Sequence, residues 1–129
     1  MILDGAHNPN GAAALARYLR DERSSARKVL MIGVMADKDV DDILSVLLPY
    51  GDRVVFVAPR GERSAKPEVL LAKAVALFPD RSQKFESSER SVGSLLEIIM
   101  KEEPTSTIFV TGSLYMIGEV KEGFARSDL

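Results

Sequence analysis

Residues 29–35, VLMIGVM, form an apolar run with no polar residue in it. A strand with one face in water would alternate apolar and polar residues, so this run predicts a strand that is covered on both faces. Strands of that kind are typical of parallel sheets, in which the helical connections cover both sides. The segment therefore predicts a parallel sheet flanked by helices.

Other parts of the chain repeat an order of strand, loop and helix. Residues 54–58 and 107–111 are further apolar runs, residues 2–3 form a short one, and residues 83–86 are a weaker edge-strand candidate. The predicted helices begin near Pro9, Asp39, Pro67, Ser88 and Gly112, with Asp39 and Ser88 as N-caps. The alternation predicts a three-layer, Rossmann-like α/β domain with a mostly parallel sheet of about five to six strands.

Composition narrows the class of protein further. The chain has 129 residues, 46% of them hydrophobic, which suits one globular domain. It has no cysteine, which excludes disulfides and thiolate metal sites and is compatible with a cytoplasmic location. A net charge of −2, 6% aromatic residues and no tryptophan argue against a nucleic-acid partner. No apolar run is long enough to indicate a membrane span.

The only histidine lies in a polar segment between the first predicted strand and helix. Asn8 is a good N-cap and Pro9 suits the first helical position, so the helix start explains both residues. A helix start also presents free N–H groups and the positive end of a dipole, which favour a phosphate or carboxylate. The placement of Asp4 and His7 together is not explained by capping, and it favours a ligand-binding role.

Two more polar clusters, residues 36–39 and 111–113, follow predicted strands. The carboxyl ends of parallel strands share one edge of a sheet, where ligands bind, so all three clusters should meet there. From the residues alone, a helix cap explains Asp39, an exposed loop charge explains Lys38, and a tight turn explains residues 111–113. Residues 60–64 are expected to form a solvated, mobile loop.

Several common sites are missing from the sequence. It contains neither G-x-x-x-x-G-K-[ST] nor G-x-G-x-x-G, so no P-loop or dinucleotide-binding fingerprint is present. It also lacks the G-x-S-x-G elbow of α/β-hydrolases. A receiver domain would need an acid after the third strand, where this chain has Val57, Ala58 and Pro59.

Three segments taken together carry a family resemblance: LDGAHNPNG at 3–11, MIGVMADKD at 31–39 and TGSLYMIGEV at 111–120. In wording and order they resemble the carboxy-terminal domain of the folylpolyglutamate synthase/dihydrofolate synthase family, a branch of the Mur ligases. The resemblance implies that residues 1–129 are one such domain. It also implies that the central ATPase domain, which carries the P-loop and the magnesium ligands, is absent from this chain.

The resemblance implies an ATP-dependent ligase of folate and one-carbon metabolism. Such an enzyme activates the carboxylate of dihydropteroate or folate as an acyl phosphate, which the amine of L-glutamate then attacks. The positions that it implies for ATP binding are Asp4, His7 and Asn8, with His7 the catalytic residue near the phosphates. Those that it implies for glutamate binding are Asp37, Lys38 and Ser113. ATP and Mg²⁺ would be held mainly by the ATPase domain, with no metal ligand in this chain.

Two alternatives stay open at this point. The D-x-A-H-N-P wording is shared with the peptidoglycan-precursor Mur ligases, so the chain could be the carboxy-terminal domain of one of those. An α/β module without enzymatic activity, responding to a nucleotide or binding another protein, belongs to a different class. If the ligase interpretation holds, the 129-residue chain alone should show no turnover.

Overall fold

The computed structural model describes residues 2–3, 9–21, 26–36, 39–61, 63–112, 116 and 118–120. In chain order these residues form β1 (Ile2–Leu3), α1 (Pro9–Asp21), β2 (Lys28–Ile32), α2 (Val40–Leu47), β3 (Arg53–Phe56), α3 (Pro67–Leu77), β4 (Phe85–Ser87), α4 (Val92–Glu102) and β5 (Thr107–Thr111). Short 3₁₀ turns, Leu48–Tyr50 and Pro79–Lys84, follow α2 and α3. Residues 118–120 are helical.

The five strands form one sheet in the order β1-β5-β2-β3-β4, and every pair is parallel. β2 is the central strand: its Ile32 pairs with Thr111 of β5 on one side and with Phe56 of β3 on the other. The parallel sheet that the apolar run predicts is therefore confirmed. No helix among the described residues is both long and apolar enough to cross a membrane.

Helices cover both faces of the sheet. Leu30 and Ile32 of β2 belong to a core shared with α1, α2 and α3, whereas Val29 and Met31 belong to a second core shared with α4 and Val120. Alternate residues of one strand thus bury on opposite faces, as a doubly covered strand requires. The buried stripe of α1 consists, as predicted, of Ala12, Leu15, Ala16 and Leu19. The three-layer architecture is confirmed.

The predicted fourth strand is present at the edge of the sheet, but its predicted start and the predicted N-cap of α4 are wrong. Residues 83–84 belong to a 3₁₀ turn, and the edge strand begins at Phe85. The N-cap of α4 is Ser91, not Ser88: the Ser91 hydroxyl accepts the N–H of Ser94 at 3.3 Å. The backbone N–H of Ser88 still donates to Phe56 O at 2.9 Å, which keeps it paired with the sheet.

A network of charged side chains joins β3, β4 and the end of α4. The guanidinium of Arg53 contacts the carboxylates of Glu86 at 2.6 Å, Glu103 at 2.8 Å and Glu102 at 3.3 Å. Glu103 also accepts Arg27 Nε at 2.6 Å and Ser106 Oγ at 3.0 Å. Since Arg53 and Glu103 are largely buried and multiply bonded, this network is a structural brace rather than a set of surface ion pairs.

Because of this brace, we expect the stability of the domain to fall in acid. Burial raises the pKa of Glu103, but hydrogen bonds from Arg53, Arg27 and Ser106 lower it by more, so the pKa lies below its ordinary 4.5. A carboxyl whose pKa is lowered by folding stabilises the native state above the unfolded pKa and loses that contribution as pH falls through the folded one. We therefore expect the free energy of unfolding to fall as pH drops below about 4.5.

Urea unfolding of the wild type and Glu103→Gln between pH 7 and pH 3 checks this expectation. At pH 7 the variant should be less stable by about 1–3 kcal/mol, because it leaves Arg53 and Arg27 without their shared carboxylate. Its stability should also depend less on pH than that of the wild type. Glu97→Gln, on the exposed face of α4, is the control. An unchanged pH slope in Glu103→Gln would contradict the assignment.

Candidate functional site

Three neighbouring strands end at the same edge of the sheet. β1, β5 and β2 lie side by side, and because all are parallel their carboxyl ends face the same way. In the sequence Asp4 follows the end of β1, Gly112 follows that of β5, and residues 33–36 follow that of β2. The strand order therefore brings the three segments that carry the sequence motifs out of the sheet at one edge.

The six predicted site residues lie outside the part of the chain that the structure describes. They are Asp4, His7, Asn8, Asp37, Lys38 and Ser113. Their roles stay predictions. The described residues that flank them define the scaffold from which each segment starts: Leu3 and Pro9 around the first, Ala36 and Asp39 around the second, and Gly112 before the third.

Two glycines let the backbones approach closely at this edge. Gly33 N–H donates to Thr111 O at 3.2 Å, one residue beyond the end of β2. Gly112 has φ +109°, and a Cβ there would lie 2.5 Å from Gly33 O. A Cβ on Gly33 would lie 2.7 Å from Val57 O. Side chains are thus excluded at both positions, so the ends of β2 and β5 are held at a fixed spacing.

The loop after β3 is attached to this edge, which corrects the expectation of a solvated, mobile loop at residues 60–64. Ser64 forms a β-bridge with Met35, and the N–H of Ala36 donates to Arg63 O at 2.6 Å. Ala65 N–H donates to Val34 O at 2.9 Å. The backbone thus pairs with the continuation of β2, although Arg60 and Arg63 remain exposed. The position just before Asp37 is anchored as a result.

A second contact joins the loop to the last described helical residues. Glu119 has a side chain only 10% exposed, and its carboxylate accepts the backbone N–H of Arg60 at 2.8 Å. Arg60 Nε lies 3.5 Å from the other carboxylate oxygen. The contact therefore joins the loop after β3 to a segment that follows β5, 59 residues further along the chain.

A groove of about 360 Å³ opens beside the second motif. It is lined by Ala36, Asp39, Val40, Asp41, Asp42 and Lys73. Lys73 Nζ pairs with Asp41 at 3.0 Å. The other carboxylates on the groove belong to Asp39 and Asp42, so the groove is acidic with one lysine on its wall.

Asp39 occupies the predicted N-cap position, but its side chain does not cap the helix. It stands at the N-cap position of α2 and its carbonyl accepts the N–H of Ile43 at 3.0 Å, but its side chain makes no capping hydrogen bond. The reason is its backbone, with φ −73° and ψ 67°, which departs from the extended conformation usual for a capping residue. Its exposed carboxylate is therefore not used by the helix.

Thr111, the last residue of β5, carries a buried hydroxyl. Its side chain has no exposed surface, and within the described part of the chain Thr111 Oγ1 has no hydrogen-bond partner. An unpaired buried hydroxyl costs about 1–3 kcal/mol relative to a paired one. The apolar residues that precede it in β5 are Ile108, Phe109 and Val110, so valine would be the cheaper choice at this position.

The described part of the edge offers carboxylates, backbone groups and one buried hydroxyl. No group of three metal-binding side chains occurs among the described residues, so no metal site can be assigned to them. Nor does the sequence contain a glycine-rich phosphate loop. The described residues therefore do not form a phosphate cradle of their own.

Sequence reasoning missed three features of this edge. The buried state of the Thr111 hydroxyl and the Arg60–Glu119 contact depend on tertiary packing, and no local pattern signals them. The close approach of Gly33 had a local signal, because a glycine inside an otherwise apolar strand run often marks a near backbone neighbour.

The fold and this edge define a class: an all-parallel α/β domain in which the ends of three neighbouring strands share one edge of the sheet. The chain belongs to the family described as "Dihydrofolate synthetase, C-terminal domain", whose family model matches residues 1–122. The family prediction made from the three motifs is therefore confirmed.

Curated relatives of this chain are named as dihydrofolate or folylpolyglutamate synthases. The chain is 31% identical over 137 aligned residues to the dihydrofolate synthase/folylpolyglutamate synthase of Mycobacterium tuberculosis, covering 98% of this chain and 28% of the relative. It is 30% identical to the folylpolyglutamate synthase of Lacticaseibacillus casei, covering 95% of this chain and 26% of the relative. The chain thus spans less than a third of these relatives.

Two solved structures match this chain over nearly its whole length. The M. tuberculosis folylpolyglutamate synthase complexed with ADP and AMPPCP matches with a TM-score of 0.83 and 30% identity, over 95% of this chain and 29% of that one. E. coli FolC in complex with DHPP and ADP matches with a TM-score of 0.83 and 25% identity, over 98% of this chain and 28% of that one. The chain corresponds to their C-terminal domain.

Proposed function

We propose that this chain is the part of an ATP-dependent ligase that closes over the nucleotide and receives glutamate. In the proposed reaction the acceptor carboxylate of dihydropteroate or folate attacks the γ-phosphorus of ATP, giving an acyl phosphate and ADP. The amine of L-glutamate then attacks the acyl carbon, phosphate leaves, and an amide bond forms with loss of a proton from nitrogen.

The carboxyl edge described above is the proposed face of the domain toward the reaction. Asp4, His7 and Asn8, which follow β1 in the sequence, are assigned to ATP, with His7 near the transferred phosphate. Asp37 and Lys38, which follow the anchored Ala36, are assigned with Ser113 to glutamate. The acidic groove at the start of α2 lies beside Ala36, and its free Asp39 carboxylate would attract the ammonium group of the incoming amino acid.

The observation that carries the proposal is the strand order. It brings the ends of β1, β2 and β5 to one edge, although the motifs after them are separated by most of the chain. The absence of a P-loop within these 129 residues fits a domain that completes a nucleotide site formed largely by another one. Two relatives of this domain are known in complexes with ADP, one with AMPPCP and one with DHPP.

Closure of this domain on an ATPase domain would supply the phosphate-binding loop that the sequence of this chain lacks. A closed cleft excludes water from an acyl phosphate, which would otherwise hydrolyse. Mg²⁺ is assigned to the ATPase domain, where it would neutralise phosphate charge, because the described residues here include no ligand set for it. We place the reaction in the cytoplasm, in keeping with a sequence free of cysteine.

The test is glutamate-dependent release of ADP by the full-length enzyme, meaning the polypeptide in which an ATPase domain precedes this domain. Activity should appear with dihydropteroate or a reduced folate as acceptor and be absent with a UDP-sugar peptide. Activity with the UDP-sugar peptide alone would instead favour the peptidoglycan branch. An enzyme that releases no ADP with any of these acceptors, or that binds the nucleotide without turnover, would overturn the ligase assignment.

A further inference from the structure

Arg63 combines a fixed backbone with an unpaired positive charge. Its carbonyl accepts the N–H of Ala36 at 2.6 Å, which attaches the residue to the continuation of β2. Its side chain is exposed, and within the described part of the chain the guanidinium has no hydrogen-bond or ion-pair partner. A guanidinium binds carboxylates and phosphates through its planar fork of N–H groups. Arg63 is therefore free to bind an anionic group of a ligand.

Backbone pairing places Arg63 beside the groove at the start of α2. Met35 and Ser64 form an antiparallel bridge, and the hydrogen bond between Ala36 and Arg63 extends the pairing by one position. Residues directly opposite each other in an antiparallel pair point to the same face, with Cβ atoms about 4.5–5.5 Å apart. Ala36 lines the groove, so the side chain of Arg63 starts next to that end of it.

Two further contacts fix the loop that carries Arg63. The hydroxyl of Ser64 donates to Pro59 O at 2.6 Å, and the Glu119 carboxylate accepts the backbone N–H of Arg60 at 2.8 Å. The loop is thus attached to β2 on one side and to the helical residues 118–120 on the other. Because the backbone is already ordered, only the side chain of Arg63 loses freedom when a ligand binds.

The groove supplies the opposite charge. Asp39 and Asp42 line it with carboxylates that have no ion-pair partner among the described residues, whereas Asp41 is paired with Lys73 at 3.0 Å. Arg63 does not pair with any of these acids, so an unpaired cation and unpaired anions stand at one end of the sheet. A free amino acid carries both an ammonium group and a carboxylate, and it can therefore bind both.

We propose that Arg63 is a binding residue for L-glutamate, whose guanidinium holds a carboxylate of the incoming amino acid while the acids of the groove attract its ammonium group. The inference rests on the proposed function and adds to it a residue outside the three sequence motifs. Two parallel N–H···O bonds join a guanidinium to a carboxylate in the best geometry. The acids of the groove repel a polyanion such as ATP, so the amino acid is the better ligand for this position.

The experiment uses steady-state kinetics of the full-length enzyme with Arg63→Gln. We expect KM for L-glutamate to rise ~10-fold, the loss of about one charge-assisted hydrogen bond, with KM for ATP and for the folate acceptor within about twofold of the wild type. Arg63→Lys keeps the charge but loses the fork, so its KM for glutamate should lie between the other two. Lys66→Gln removes the same charge from the same loop, outside the pairing with β2, and should stay within about twofold.

The outcomes separate this inference from the function beneath it. If the wild type releases no ADP in response to glutamate, the proposed function fails and the role of Arg63 fails with it. If the wild type is active and Arg63→Gln has an unchanged KM for glutamate, the role of Arg63 is wrong and the proposed function stands. A rise in KM for ATP instead would assign Arg63 to the phosphates, and equal losses in Lys66→Gln would indicate a general effect of loop charge. Either result would overturn the inference.

Thermal unfolding of the ligand-free enzyme excludes a merely structural role. Arg63→Gln should unfold at the same temperature as the wild type, because the side chain is exposed and has no described partner. A clear fall in Tm together with equal rises of KM for glutamate and for ATP would show that the loop itself was disturbed, and it would overturn the inference.

Discussion

Replacement of Gly112 by alanine is expected to destabilise the domain by about 3–5 kcal/mol. Two costs combine at this position. The backbone has φ +109°, which a residue with a side chain rarely adopts, and the new Cβ would lie 2.5 Å from the carbonyl oxygen of Gly33. Neither atom can move freely, because Gly33 is itself hydrogen-bonded to Thr111. The loss is a large share of the stability of an ordinary domain, about 5–15 kcal/mol.

Two other glycines serve as matched controls in urea unfolding. Gly61 also has a positive φ, +132°, but nothing lies within 4 Å of an added Cβ, so Gly61→Ala should show the backbone cost alone, about 1–2 kcal/mol. Gly118 lies in a helical segment with open space around it, so Gly118→Ala should be neutral or stabilising by about 0.5–1 kcal/mol. Equal losses in Gly112→Ala and Gly61→Ala would contradict the close approach of β2 and β5.

Replacement of Asp4 by alanine in the full-length enzyme is expected to lower kcat/KM for ATP by about 100-fold. The reason is the proposed contact between this carboxylate and the bound nucleotide, which alanine cannot make. Binding of the folate substrate, measured by direct titration without ATP, should change by less than about twofold, because the proposal assigns Asp4 to ATP and not to folate. A loss of kcat/KM for ATP with unchanged folate binding would assign the defect to the nucleotide site.

Asp21→Ala is the control for Asp4→Ala. Asp21 is the last residue of α1, its side chain is 70% exposed, and it pairs only with the neighbouring Arg20 at 3.2 Å among its described contacts. The Asp21→Ala variant removes the same charge as Asp4→Ala, but at the C-terminal end of α1, and it should leave the ATP kinetics unchanged. Unchanged ATP kinetics in Asp4→Ala would refute the assignment of this residue, whereas equal losses in both variants would indicate a general effect of charge.

Most of the architecture was predictable because the buried strands have a strong local signature. β2, β3 and β5 are short apolar runs covered on both faces, and a run of that kind needs no tertiary information to be recognised. β4 is different: only Phe85 of its three residues is buried, so its apolar signal is weak and its start was misplaced. The N-cap of α4 was misplaced for a similar reason, since Ser88 and Ser91 look alike in sequence.

The sequence motifs predicted which segments form the candidate site, but not the contacts between those segments and the rest of the chain. The three motifs named the segments, and the strand order confirms that they leave the sheet from adjacent strands. The acidic groove, the attached loop after β3 and the buried hydroxyl of Thr111 arise from contacts between residues far apart in the chain. No local spacing encodes such contacts. The roles of Asp4, His7, Asn8, Asp37, Lys38 and Ser113 stay predictions, which the kinetic variants test.

The most direct test of the central claim compares two proteins in one assay. Release of ADP that depends on both L-glutamate and dihydropteroate or folate is measured for the full-length enzyme and for the 129-residue chain. If this chain completes a site whose phosphate cradle lies in another domain, the full-length enzyme turns over and the isolated chain gives no signal above background. Glutamate-dependent turnover by the isolated chain would contradict the account, as would a full-length enzyme that is inactive with every folate acceptor.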